Sequence, residues 1–107
     1  MRNLTVVNAD GKDVEVVMKE HFGTIFSEIG TNGYKGGDAG HGSRTYVKFG
    51  NVSGSVGVVK IDGETVADSP NDIEIVFEGD VELDCCIEMF EHFVKVLKEQ
   101  SKLSSDK

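Results

Sequence analysis

Nowhere in the 107 residues is there an apolar run of about 18, the length that a membrane-crossing helix needs, so no segment reads as a bilayer span. Basic residues are scarce. Eleven Lys and Arg against 19 Asp and Glu leave a net charge of -8. A chain of that sign lacks the basic face that grips a phosphate backbone, and direct nucleic-acid binding is not expected. Cysteine occurs only as the neighbours Cys85 and Cys86. Adjacent helical positions point about 100° apart, so the two are poorly placed to bridge each other and no disulfide framework is available. That pattern predicts a reducing, cytoplasmic setting. The stretch Met1-Arg2-Asn3-Leu4-Thr5 has no apolar core of a secretory signal. Proline occurs once, at Pro70, in a Ser69-Pro70-Asn71-Asp72 turn where its fixed φ is useful.

The segments that remain read as strands, turns and one helix. Leu4 to Val17 holds two β-rich runs around Asp10-Gly11, a hairpin signal, within an N-terminal segment 1–19. Residues 18–29 are ambiguous: Phe22, Ile25, Phe26 and Ile29 have helical spacing, but Gly23 and Thr24-Ile25 oppose a helix, and the balance favours a strand-like passage from Thr24. Arg44 to Phe49 alternates as a strand, with Thr45, Val47 and Phe49 on one face and Arg44, Tyr46 and Lys48 on the other. Val56 to Ile61 returns through Asp62-Gly63 as Glu64-Thr65-Val66, a second hairpin. Asp72 to Glu78 alternates, which predicts Ile73, Ile75 and Phe77 inward and Asp72, Glu74 and Glu78 outward. A helix follows over 80–100. Asp80 is its expected N-cap, Glu82 and Asp84 suit its dipole, and the tail from Ser101 is expected to fray. Leu83, Cys86, Ile87, Phe90, Phe93, Val94 and Leu97 form its apolar stripe, widened by Met89 and Val96. The prediction is a single α+β domain: a mainly antiparallel sheet of about five strands with one C-terminal helix packed on one face. The breadth of the stripe points to a homodimer.

Ordinary folding does not account for residues 30–46. Six of the 13 glycines fall between Gly30 and Gly42, interleaved with charged and aromatic residues. Positive-φ turns line up successive N–H groups into anion-binding concavities. The candidate ligand-binding set is Tyr34, Lys35, Gly36, Gly37, Asp38, Gly40, His41, Gly42, Ser43, Arg44 and Tyr46. In it the loop amides, Lys35 and Arg44 hold a phosphate while Tyr34 or Tyr46 stacks on a base. No Gly-Lys followed by Ser or Thr occurs, and Gly40-His41-Gly42 has no third glycine, so neither a Walker loop nor a dinucleotide fingerprint is present and no cofactor is expected.

The string Gly36-Gly37-Asp38-Ala39-Gly40-His41-Gly42-Ser43-Arg44-Thr45-Tyr46 resembles a segment of small uncharacterised phage and prophage proteins, and Glu78 to Asp84 is similar to the stretch that opens their final helix. The resemblance covers about the last two-thirds of the chain and brings no activity with it. It implies a setting, the cytoplasm of a host cell, and the kind of role that small phage accessory or counter-defence proteins take: binding a host protein or sequestering a small molecule.

Three functions follow as expectations. The first is a non-enzymatic binding protein whose glycine-rich loop receives a nucleotide or nucleotide-derived signal. The second starts from charge. Between Lys60 and Lys95 there is no Lys or Arg but 11 acidic residues, which leaves +3 for the rest of the chain. Such a face suits an inhibitor of a basic, nucleic-acid-binding host protein. The third is a small hydrolase using Asp38 and His41, weighed with Ser43 as nucleophile, although a glycine loop fixes no catalytic geometry and no catalytic residue is assigned. A metal site from Asp38, His41 and His21 lacks any paired ligand spacing, and none is expected.

Overall fold

The computed structural model describes residues 3–105, with side chains for residues 4–102. Met1 and Arg2, which open the predicted hairpin segment, lie outside the described residues. Among the described residues seven strands and one helix follow in chain order: β1 (Asn3–Ala9), β2 (Lys12–His21), β3 (Ile25–Thr31), β4 (Arg44–Asn51), β5 (Val58–Ile61), β6 (Glu64–Asp68), β7 (Asp72–Glu78) and α1 (Asp80–Ser105). Five of the strands form one antiparallel sheet in the order β1-β2-β3-β4-β7, and β5-β6 stands apart as a two-stranded hairpin. The fold is α+β, with α1 on one face of the larger sheet.

Both Asp-Gly signals make tight turns. Asp10 and Gly11 take φ of 51° and 91°, and Asp62 and Gly63 take 53° and 79°, the paired positive values that a two-residue hairpin requires. The β2-β3 connection is one residue longer: Phe22 and Gly23 take 56° and 65°, and Thr24 follows, its N–H donating to the His21 carbonyl at 3.0 Å. Phe22 is fully exposed there, and its poor fit to that conformation hides the turn from sequence reading. The ambiguous stretch is therefore strand, turn and strand, and β3 runs on to Thr31. The helix also continues beyond its predicted end to Ser105, and the Ser101 hydroxyl donates back to the Leu97 carbonyl at 2.6 Å.

The densest core lies on the sheet face away from the helix. Ala9, Val14 and Val16 are fully buried around Tyr46, with Val7 and Val76 against them. Gly30 makes this possible. Strand β2 pairs with β3 only from Val17 opposite Ile29 to His21 opposite Ile25. Its first half leaves β3 and crosses over Gly30, where any Cβ would strike the Glu15 carbonyl. The β1-β2 hairpin thus curls onto β4, and its end is tied down where Lys12 Nζ donates to the Gly42 carbonyl at 3.0 Å. Burying Val14, Val16 and Ala9 stabilises the fold at about 25 cal/mol per Å² of apolar area removed from water.

On the opposite face α1 covers less than its stripe predicts. Leu83 and Cys86 are buried, but Ile87, Phe93, Val94 and Leu97 are about half exposed or more, Leu97 at 65%. Length is one reason. A 26-residue helix is about 39 Å long, whereas eight-residue β4 spans about 26 Å. The inward prediction for β7 changes accordingly: Ile75 is 43% exposed, while Val76 packs into the far core. The radius of gyration is 15.6 Å, against about 13 Å for a compact chain of this length. The helix overhang and the separate β5-β6 hairpin account for the excess.

Candidate functional site

The glycine-rich loop, residues 32–43, is an ordered clasp around the start of α1. Strands β3 and β4 fix its two ends, closed by Asn32 N–H donating to the Arg44 carbonyl at 3.2 Å and Arg44 N–H donating to Asn32 Oδ1 at 2.8 Å. Between them the amides of Lys35, Gly36 and Ser43 converge on one anion, as the glycine composition predicts. That anion is the protein's own Asp80 carboxylate, at 3.1, 2.7 and 3.0 Å. Burial by itself pushes the Asp80 carboxyl up, but the Gly36, Lys35 and Ser43 donors outweigh it and hold it well below the usual carboxylate range.

The clasp is reciprocal. Asp80 N–H donates to the Gly37 carbonyl at 2.7 Å, Gly40 N–H to Glu78 at 2.8 Å and Gly79 N–H to Ser43 at 2.9 Å. The Ser43 hydroxyl returns to the Gly79 carbonyl at 2.8 Å, and Ala39 N–H donates to Glu82 Oε1 at 3.0 Å. The expected N-cap role of Asp80 is corrected by this arrangement. Gly79 supplies the first intrahelical acceptor, to Leu83 N–H at 3.0 Å, and the capping carboxylate is Asp38, which accepts from Val81 N–H at 3.1 Å. Asp80 faces the loop because three unpaired loop amides gather there. Gly42 is required at the centre: its φ is +86°, and an added Cβ would lie 2.8 Å from Asp80 Oδ1.

The predicted site residues divide between this scheme and other places in the fold. Gly36, Gly37, Gly40, Gly42 and Ser43 give backbone to the clasp. Arg44 does not face an incoming anion. It is 8% exposed, its guanidinium donates to the Gly40, Gly42 and Ser43 carbonyls, and Glu78 lies 3.6 Å from Nε. Tyr46 is likewise buried in the far core, where burial, and then the Glu74 carboxylate, push its hydroxyl up to about 12. Tyr34 is exposed, and its hydroxyl donates to Asp84, which raises its pKa. The side chains of Lys35 and His41 are exposed. Asp38 and His41 meet through backbone, His41 N–H to the Asp38 carbonyl at 3.2 Å, while the Asp38 carboxylate serves the helix. No catalytic dyad is built there. Among the described residues no three His, Cys, Asp or Glu side chains gather as a metal site.

Two further features lie outside the loop: a groove that sequence reading missed, and an acidic surface that the run between Lys60 and Lys95 announced. The first is an open apolar groove of about 510 Å³ between the second half of α1 and β3-β4, floored by Ile29, Val47 and Phe49 and walled by Phe90, Phe93, Val94 and Leu97. At its edge His21 Nε2 and Ser27 Oγ share a hydrogen bond at 2.7 Å. The apolar stripe signals the wall, but nothing in the sequence tells that the sheet fails to cover it. The second is the acidic surface of β5-β6 and the edge strand β7, where Asp62, Glu64, Asp68, Asp72 and Glu74 are exposed beside exposed Val58, Ile61 and Val66. Compared with known proteins, the chain matches no family model, no curated protein and no solved structure.

Proposed function

We propose that this protein is a non-enzymatic interaction protein that docks a basic macromolecular partner on its acidic projecting hairpin and the neighbouring sheet edge. The observation that carries the reading is the β5-β6 hairpin, which stands outside the main sheet with Asp62, Glu64 and Asp68 in water and Val58, Ile61 and Val66 uncovered. An isolated two-stranded hairpin is marginal in water, and apolar side chains on one gain by association. Acidic residues around them steer a basic partner and reject nucleic acid. In this reading the protein is a phage-type accessory factor in the host cytoplasm that inhibits a nucleic-acid-binding protein, and it needs no cofactor. The test is capture from host lysate at low and high salt, followed by a binding titration with the purified captured protein. Salt-sensitive binding abolished by Asp62→Lys with Glu64→Lys is expected. Binding unchanged in that variant overturns the reading.

A second reading keeps the loop as a receptor for an anionic small molecule such as a nucleotide. Its support is the convergence of the Lys35, Gly36 and Ser43 amides on one carboxylate, the geometry that anion recognition uses. An incoming phosphate has to displace Asp80, leaving Lys35, His41 and Tyr34 as the exposed contacts. A thermal-shift panel of nucleotides and cyclic nucleotides tests it. This reading expects stabilisation that Asp80→Asn strengthens and Lys35→Ala weakens. No response from either the native chain or Asp80→Asn sinks it.

A further inference from the structure

We infer that the apolar groove is filled by a second copy of this chain, with the two α1 helices antiparallel about a two-fold axis between Phe93 and Val94. The inference is independent of the acidic hairpin. Phe93 and Val94 are about half exposed and Leu97 is 65% exposed, although they sit on one stripe with half-buried Phe90. The sheet floor beneath them is open at Ile29, 45% exposed, while Val47 is buried and Phe49 partly so. Solvated along its wall and at Ile29, such a groove is costly for a lone protomer.

Three properties select a second copy as the occupant. Phe90, Phe93, Val94 and Leu97 are spaced i, i+3, i+4, i+7, a set that maps onto itself when the helix is reversed about its midpoint. Phe90 then lies level with Leu97 of the second copy and Phe93 with Val94, so every apolar wall residue meets another. The flanks match as well. Glu91 and Lys98 stand on the same side of the stripe, roughly 20° apart at about 100° per residue. Reversal brings Glu91 of one copy within two residues, about 3 Å along the axis, of Lys98 of the other, and this happens twice. Parallel pairing instead turns the Glu91 flank towards the apolar Met89 and Val96 flank of the second copy, where it finds no opposite charge. On the opposite flank Met89 and Val96 repeat the relation with apolar partners. Finally, the helix as a whole is polarised: Asp80, Glu82, Asp84, Glu88 and Glu91 precede Lys95, Lys98 and Lys102, with Glu99 the one acid among the latter. Antiparallel docking is the arrangement that places opposite charges side by side.

Sedimentation equilibrium of the full chain at micromolar concentration tests this. A species of twice the 11.6 kDa protomer mass is expected. Phe93→Glu should yield a monomer with unchanged far-ultraviolet circular dichroism. Glu91→Lys, at an exposed position that leaves folding intact, should weaken dimerisation about ten-fold, and Glu91→Lys with Lys98→Glu should restore it. A monomeric native chain, a dimer indifferent to Phe93→Glu, a failure of the double exchange to recover affinity, or a monomer carrying an apolar small molecule in the groove would each overturn the inference. Loss of partner capture with the dimer intact counts only against the proposed function.

Discussion

The two halves of α1 are handled in opposite ways. Its first two turns are bound to the rest of the molecule by polar contacts: Asp80 and Glu82 accept loop amides, Asp38 caps Val81, and Leu83 and Cys86 are buried. From Ile87 onward the same helix shows an apolar side that the sheet covers only in part. A buried backbone donor left unpaired costs more than a half-exposed leucine does, so the polar end is where this fold is specified and the apolar end is where it is open. The loop that looked like a receptor is, within the protomer, a device for setting the helix on the sheet.

The largest test of this contrast removes the packing that the open half lacks. Gly30→Val puts a branched side chain into the Glu15 backbone and should lift the β1-β2 hairpin off Tyr46, costing about 3 kcal/mol or more by chemical denaturation. Val16→Ala, in the same fully buried cluster, should cost about 2 kcal/mol. Asp80→Asn removes the charge on which the clasp closes. Hydrogen exchange should then accelerate at Lys35, Gly36 and Ser43 while the amides of β2 stay protected, and uniform acceleration would refute a local clasp. Leu97→Ala, measured where the chain is monomeric, should change stability by less than about 0.5 kcal/mol. A larger loss would mean that the second half of the helix is not open.

Titration sharpens the same contrast. The Asp80 carboxyl is depressed in the fold, so its contribution is complete at neutral pH and starts to be lost as pH falls below the ordinary value of 3.8. Asp80→Asn should flatten the acid limb of the stability profile. Tyr46 behaves in the opposite sense: raised to about 12, it favours the fold below pH 10.0, and that advantage declines between pH 10.0 and about 12. Tyr46→Phe should remove this alkaline limb.

Most strands were legible because their chemistry is local. Asp10-Gly11 and Asp62-Gly63 specify hairpins by their φ preferences, and Asp72 to Glu78 alternates cleanly. The Phe22-Gly23 turn was not legible, since no local preference favours Phe at positive φ and the pairing of β2 with β3 imposes it. The candidate site was half legible. Composition marks the loop as shaped backbone with converging amides, but Asp80 is about 40 residues from its donors, and only the pairing of β7 with β4, Glu78 opposite Arg44, brings them together.

The order of elements, the turns and the amphipathic stripe are therefore properties of the chain itself, set by periodicity and backbone preference over a few residues. Which carboxylate closes the loop, which sheet face becomes the core and which half of the helix is left uncovered were decided only in three dimensions. Each depends on partners distant in sequence, and on a curl at Gly30 whose meaning appears only when another strand's backbone lies across it.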